Sequence, residues 1–124
     1  MKATFPAACR LRSAKEIQAV LARRDIFRGK RLIFYRGLSL AAGPGPDEAA
    51  EPIARFCLMV SRRCGGAVRR NRIKRVLREI IRLNRYRIPA GYDYIIRARG
   101  SGIENQDINQ DLFRDDFSGY FGWV

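Results

Sequence analysis

The 124-residue sequence contains no histidine, and only 12 of its residues are acidic. Histidine is the commonest general base and a member of most hydrolytic triads, so its absence argues against such a site in the protein. The three cysteines, Cys9, Cys57 and Cys64, form no C-x-x-C pair. An odd count without histidine argues against a disulfide framework or a zinc site, and we expect reduced thiols.

Long apolar runs are also missing from the sequence. No stretch of 18 apolar residues is present, and the N-terminus lacks the apolar core of a secretory signal. We therefore expect no membrane span and a cytoplasmic location. A content of 47% hydrophobic residues suits a folded core. We expect a single domain over residues 1–124, with an irregular arm at 1–12 and a mobile hairpin loop at 41–53.

Basic residues are abundant where acidic ones are scarce. The 25 basic residues give a net charge of +13 and an isoelectric point near 10.8, and 21 of them are arginines. The arginine side chain offers a planar fork of donors that fits phosphate, whereas lysine acts as a point charge. This composition favours a polyanionic partner.

The positive charge is concentrated in residues 61–85, which contain ten basic side chains and one acid. The apolar side chains within this segment recur at steps of three and four, as on one face of a helix: Ile73, Val76, Leu77, Ile80 and Ile81. The spacing predicts a helix over 67–85 that buries this face and exposes a basic ridge. A merely solvated charged face is the alternative, but the single sign and the arginine content favour binding.

The remaining patterns predict the fold. They indicate helices at about 13–23 and 105–121, in addition to 67–85, and strands at 31–40, 54–62 and 92–99. Residues 25–30 are expected to form a loop. The order α-β-β-α-β-α favours an α+β two-layer sandwich with a mixed sheet of three to four strands. The basic helix crosses between the second and third predicted strands, and such crossovers are ordinarily right-handed.

Residues 61–79, SRRCGGAVRRNRIKRVLRE, resemble the signature of the bacterial ribonuclease P protein subunit family. The hallmark of that family is an Arg-Asn-Arg helix, which stands here at 70–72. The resemblance extends to Phe5-Pro6, and to 31–35, 55–61 and 89–93. It implies an α/β sandwich with a left-handed crossover, which is opposite to the usual hand.

The resemblance also implies a function. In that family an RNA subunit, using magnesium, cleaves the 5′ leader from precursor tRNA, while the protein binds both RNAs and contributes no catalytic residue. It implies Mg²⁺ held through the RNA, the RNA subunit and precursor tRNA as partners, and no obligate protein partner. Two other classes stay open on the residues alone: a structural RNA-binding protein of ribosomal type, and a DNA-binding module that inserts the basic helix into a major groove.

Carried over residue by residue, the resemblance implies two sets of site residues. The RNA-binding set is Arg62, Arg63, Arg69, Arg70, Asn71, Arg72, Lys74, Arg75 and Arg78. The set lining a cleft for the leader is Ile17, Leu21, Ile33, Tyr35, Met59 and Ser61. The family commonly has aromatic residues at the positions of Ile17 and Leu21, and small ones at those of Cys57 and Met59. Tyr35 is therefore the best candidate for base stacking, while Ile17 and Leu21 fit the cleft and the core equally.

Overall fold

The computed structural model describes residues 10–38, 54–100, 103 and 106–123. Its helices are α1 (Ala14–Ala22), α2 (Ala67–Leu83) and α3 (Gln110–Phe121), and its strands are β1 (Ile26–Arg28), β2 (Leu32–Leu38), β3 (Arg55–Val60) and β4 (Tyr92–Ala98). Short 3₁₀ turns follow β3 and α2, at Arg62–Cys64 and Arg85–Arg87. The predicted loop at 41–53, and residues 1–9 of the predicted arm, lie outside the described residues.

The predicted order of elements is confirmed, with one addition. Strand β1 lies where the sequence predicted a loop, and it pairs antiparallel with β2, so that Phe27 lies opposite Phe34. Its three residues are too few to show a periodic pattern. Helix α3 also begins later than predicted, at Gln110, because the Asn109 side chain accepts the backbone N–H of Leu112 as an N-cap.

The four strands form one mixed sheet in the order β1-β2-β4-β3. Strand β4 pairs antiparallel with β2 and parallel with β3, and α2 makes the connection between the parallel strands. The predicted α+β class and mixed sheet are confirmed. The left hand of the crossover stays a prediction from the resemblance. Among the described residues, no helix has the length and apolar character needed to cross a membrane.

Helices lie on both faces of the sheet. Alternate residues of β2 and β4, such as Phe34 and Ile96, pack with α2 and α3 in the main core. The intervening residues Tyr35 and Ile95 face α1, where Val20 is buried. The predicted two-layer sandwich therefore describes the sheet with α2 and α3, and the nine-residue α1 adds a partial layer on the opposite face.

A buried carboxylate ties α3 to the turn between β1 and β2. The carboxylate of Asp116 accepts the backbone N–H groups of Lys30, Arg31 and Leu32 at 2.8–2.9 Å. Gly29 permits this approach, because a Cβ at its position would lie 2.6 Å from Asp116 Cγ. The acidic C-terminal segment thus supplies a structural acceptor for backbone donors that would otherwise be unpaired.

Replacing Asp116 with asparagine is expected to lower the free energy of unfolding by about 3 kcal/mol, because an amide offers one oxygen and turns an NH₂ toward backbone donors. Urea denaturation measures the change. Asp115→Asn is the matched control, since Asp115 is exposed on the same helix. Equal losses in the two variants would contradict this role for Asp116.

Candidate nucleic-acid interface

Helix α2 separates its apolar and basic residues as predicted. Ile73, Leu77 and Ile81 are completely buried. Outside this face, the predicted RNA-binding residues divide by exposure. Asn71, Arg72 and Arg75 are exposed on the helix and Arg62 and Arg63 on the preceding turn, whereas Arg69, Arg70, Lys74 and Arg78 are partly buried. Five of the nine predicted residues therefore present their side chains freely to solvent.

Arg69 differs from the others because the fold itself uses its guanidinium. Its Nε donates to the Cys64 carbonyl at 2.8 Å, and Nη2 donates to the carbonyls of Ile103 and Gln106 at 2.7 Å each. These bonds join the first turn of α2 to the segment after β4. The resemblance implies an RNA contact at Arg69, and the structure shows that its guanidinium also ties segments of the protein together.

Half-buried side chains of α1 and of the sheet meet on the sheet face that carries α1, and the partly exposed apolar surface that they form is the candidate groove. Its middle is lined by the half-buried Ile17 and Leu21 of α1 and by Tyr35, Cys57 and Met59 of the sheet, which pack on a small cluster of Leu11, Val20 and Ile95. Ile17 and Leu21 thus pack partly into this small cluster and partly line the groove. Four of the six predicted cleft residues meet here, and Tyr35 supplies the aromatic ring.

The groove continues beyond α1 into a cluster of arginines. Strand register places Arg97 of β4 between Ile33 of β2 and Met59 of β3. A cavity of about 510 Å³ opens at this end, lined by the other two predicted cleft residues, Ile33 and Ser61, and by four exposed arginines: Arg28, Arg63, Arg97 and Arg99. Within the described part of the chain, none of these four forms an ion pair with a carboxylate.

Sequence reasoning missed three members of this arginine cluster, namely Arg28, Arg97 and Arg99. They come from β1, from β4 and from the residue just after β4, and only the pairing of the strands brings them together. One signal was available for Arg97, which interrupts the otherwise apolar end of β4 and so had to face an open part of the sheet.

Helix α2 borders the groove along the edge of β3. Burial raises the pKa of the Cys57 thiol, and the nearby ammonium of Lys74 opposes that rise. On the same side, burial and the neighbouring Arg10 lower the pKa of Arg78. Arg10 lies there because residues 10–11 pair with the edge of β3, where the Leu11 N–H donates to the Phe56 carbonyl at 2.8 Å. Lys74 and Arg10 therefore bring positive charge close to the edge of the sheet that carries Cys57.

The chemistry that this surface offers is cationic and hydrogen-bonding. In the segments that the structure describes, no group of three His, Cys, Asp or Glu side chains could hold a metal ion. Guanidinium groups beside apolar side chains and one aromatic ring fit a phosphate backbone with unpaired bases.

Arg69 and Arg72 lie one turn apart on α2, and substituting each of them is expected to affect the free energy of unfolding differently. Arg69→Ala should lower the free energy of unfolding by about 1–3 kcal/mol, because three backbone carbonyls lose their donor. Arg72→Ala should change it by less than about 0.5 kcal/mol, since Arg72 is exposed. Urea denaturation of both variants measures this, and a larger loss for Arg72→Ala would refute the assignment.

A family model described as Ribonuclease P matches residues 5–115. The ribonuclease P protein component of Oleidesulfovibrio alaskensis is 53% identical over 49 residues, which are 40% of this chain and 39% of that protein. The one from Bordetella parapertussis is 37% identical over 97 residues, covering 77% of this chain and 74% of that protein.

The fold matches solved structures as well. The ribonuclease P protein from Thermotoga maritima superposes with a TM-score of 0.71 at 22% identity, covering 93% of this chain and 96% of that one. The alignments with the first two curated relatives span only 39% and 55% of those proteins. The family model nevertheless covers most of the sequence, and the chain belongs to the ribonuclease P family.

Proposed function

We propose that this protein is the protein component of a cytoplasmic ribonuclease P. It binds the catalytic RNA subunit and the 5′ leader of precursor tRNA, and it assists the RNA-catalysed cut that yields the mature 5′ end. The observation that carries the proposal is the exposed positive charge in two places: the arginines on the solvent side of α2, and the four arginines that line the cavity at the end of the groove. Membership of the family supports it independently.

The bond-breaking step belongs to the RNA subunit in this proposal, and magnesium acts through that RNA. The protein contributes positive charge. Each phosphate that an arginine neutralises releases counterions, so the affinity for RNA depends steeply on salt. The complex thereby gains binding free energy for a substrate that carries a leader, without a nucleophile or a general base on the protein.

The exposed side of α2 is the surface for the folded RNA subunit. Arg72 and Arg75 project from it together with Asn71, and Arg62 and Arg63 extend the charge onto the preceding turn. A-form RNA presents phosphates and 2′-hydroxyl groups rather than a readable major groove. Guanidinium forks and an amide are suited to such contacts, because they recognise the backbone and its shape.

The groove between α1 and the sheet is the path for the single-stranded leader. Tyr35 is its aromatic side chain among the described lining residues, and Ile17 and Leu21 offer only apolar contact. Stacking contributes about 1–3 kcal/mol per base, so one ring supplies a limited grip. The arginine cluster at the open end compensates by holding phosphates, and we therefore expect weak preference among leader bases.

A cleavage assay with a matching RNA subunit tests the proposal. At low magnesium, adding the protein should raise the rate of leader removal from precursor tRNA. Arg72→Ala should weaken RNA binding and reduce the slope of log affinity against log salt by about 0.7–0.9, the value of one phosphate contact. Arg114→Ala is the control and should do neither, because Arg114 lies on α3 and pairs with Asp111 at 2.7 Å.

Three other results would contradict the proposal. If the protein binds RNA without stimulating cleavage, it is a structural RNA-binding protein instead. A preference for duplex DNA over RNA in competition would indicate a major-groove module. Equal effects of Arg72→Ala and Arg114→Ala would show that the basic side of α2 is not the RNA surface.

The arginine cluster gives a separate prediction. Arg97→Ala should weaken binding of precursor tRNA with a long leader by about tenfold to one hundredfold, because hydrogen bonds to charged groups contribute about 1.5–3 kcal/mol. It should leave binding of a tRNA without a leader unchanged. Fluorescence titration of the holoenzyme with both substrates measures the difference. If both affinities fall equally, Arg97 does not contact the leader.

A further inference from the structure

Helix α1 is held on the sheet by few contacts. It has nine residues, which is too short for a helix to be stable in isolation. Val20 is its one fully buried side chain, and Ile17 and Leu21 are half-buried. The position of α1 over the sheet therefore depends on a small number of interactions, and that position defines one wall of the groove.

A buried ion pair lies beneath the N-terminal half of α1. Arg55 of β3 and Asp93 of β4 are register partners in the parallel pair. Arg55 Nε donates to Asp93 Oδ1 at 2.8 Å and Nη2 donates to Oδ2 at 2.7 Å, so the pairing is bidentate. The Asp93 side chain is only 3% exposed. This geometry fixes the guanidinium firmly on the sheet.

The same guanidinium reaches α1 through Glu16. Arg55 Nη2 also donates to the Glu16 carboxylate. Within the described residues, this is the ion pair that joins α1 to the sheet. The hydrogen bonds that Arg55 donates to Asp93 and then to Glu16 raise the pKa of Arg55 above its ordinary value. Ser13 and Glu16 have the spacing of a capping box, in which the Glu16 side chain would accept the Ser13 backbone N–H. The Ser13 hydroxyl does accept the Glu16 N–H at 3.4 Å, but the carboxylate turns to the sheet instead.

We propose that Glu16 is a positioning residue, which holds α1 over the sheet through Arg55 and thereby sets the width of the groove. The separation between Ile17 and Leu21 on one side and Tyr35 and Cys57 on the other then depends on this link. The effect of this link on leader binding rests on the proposed function. Its effect on the free protein, which is to keep α1 packed on the sheet, does not.

Of Arg55, Asp93 and Glu16, only Glu16 can be substituted without leaving a buried charge unpaired. Removing Arg55 or Asp93 would leave a buried charge without its partner, which destabilises a fold strongly. The Glu16 side chain is 28% exposed, and without it the Arg55–Asp93 pair stays neutralised. Glu16→Ala is thus the informative variant. Asp111→Ala is its control, because it removes a carboxylate from an exposed pair on α3.

Two native cysteines report the position of α1 in the free protein. Cys57 is half-buried in the groove beside the cluster that contains Val20, whereas Cys64 is buried in the main core. Alkylation with iodoacetamide, followed by peptide mass spectrometry, gives the rate at each thiol. Glu16→Ala should speed alkylation of Cys57 about fivefold and leave Cys64 unchanged. An unchanged rate at Cys57, or an equal rise at Cys64, overturns the proposal.

The holoenzyme supplies the second measurement. Glu16→Ala should reduce the preference for precursor tRNA over leaderless tRNA about fivefold, with unchanged affinity for the RNA subunit, and Asp111→Ala should alter neither. If the unsubstituted protein shows no preference for the leader, the proposed function fails. If it shows the preference and Glu16→Ala retains it in full, the positioning role alone fails.

Discussion

Burial of the apolar side of α2 against the sheet is the interaction on which the rest of the structure depends. Ile73, Leu77 and Ile81 are completely buried, and full burial of such a side chain contributes about 1.5–3 kcal/mol. Like charges four residues apart on the opposite side cost only a few tenths of a kcal/mol per pair. Packing therefore outweighs repulsion, and the fold keeps a row of arginines on its surface, facing away from the core.

The arginines divide into two groups, those that form hydrogen bonds within the protein and those that are exposed on its surface. Arg55 and Arg69 bond to buried or backbone acceptors within the protein, whereas Arg72 and Arg97 are exposed. One side chain serves both purposes because its planar fork satisfies several oxygens at once, whether they belong to carboxylates, carbonyls or phosphates. The net charge of +13 consequently overstates the positive charge that is available to a polyanionic partner. Exposure and hydrogen bonding, rather than charge alone, identify the arginines that remain free for a partner.

Local periodicity predicted the long elements well, because α2 and the strands β2–β4 carry strong patterns over six residues or more. It missed β1, whose three residues depend on pairing with β2 and on the contact between Phe27 and Tyr120. The same limit applies to the site. The α2 residues were found because they are contiguous, but Arg28 and Arg97 become neighbours only through strand register. The hydrogen bond between Glu16 and Arg55 could not be predicted either, because the spacing of Ser13 and Glu16 favours a local capping contact for the carboxylate.

The two ends of the groove differ in charge, and this difference gives the surface a direction. At the end beneath α1, the carboxylates of Asp93 and Glu16 share the guanidinium of Arg55, and Arg23 lines the same pocket. At the other end, four exposed arginines line the cavity. In the proposed function the phosphates of the leader strand bind at this end, because arginines without a carboxylate partner attract phosphate more strongly than paired ones. Its bases are left to the apolar middle beside Tyr35. On this proposal, the exposed arginines at one end of the groove and the Arg55 ion pairs at the other end orient the leader strand.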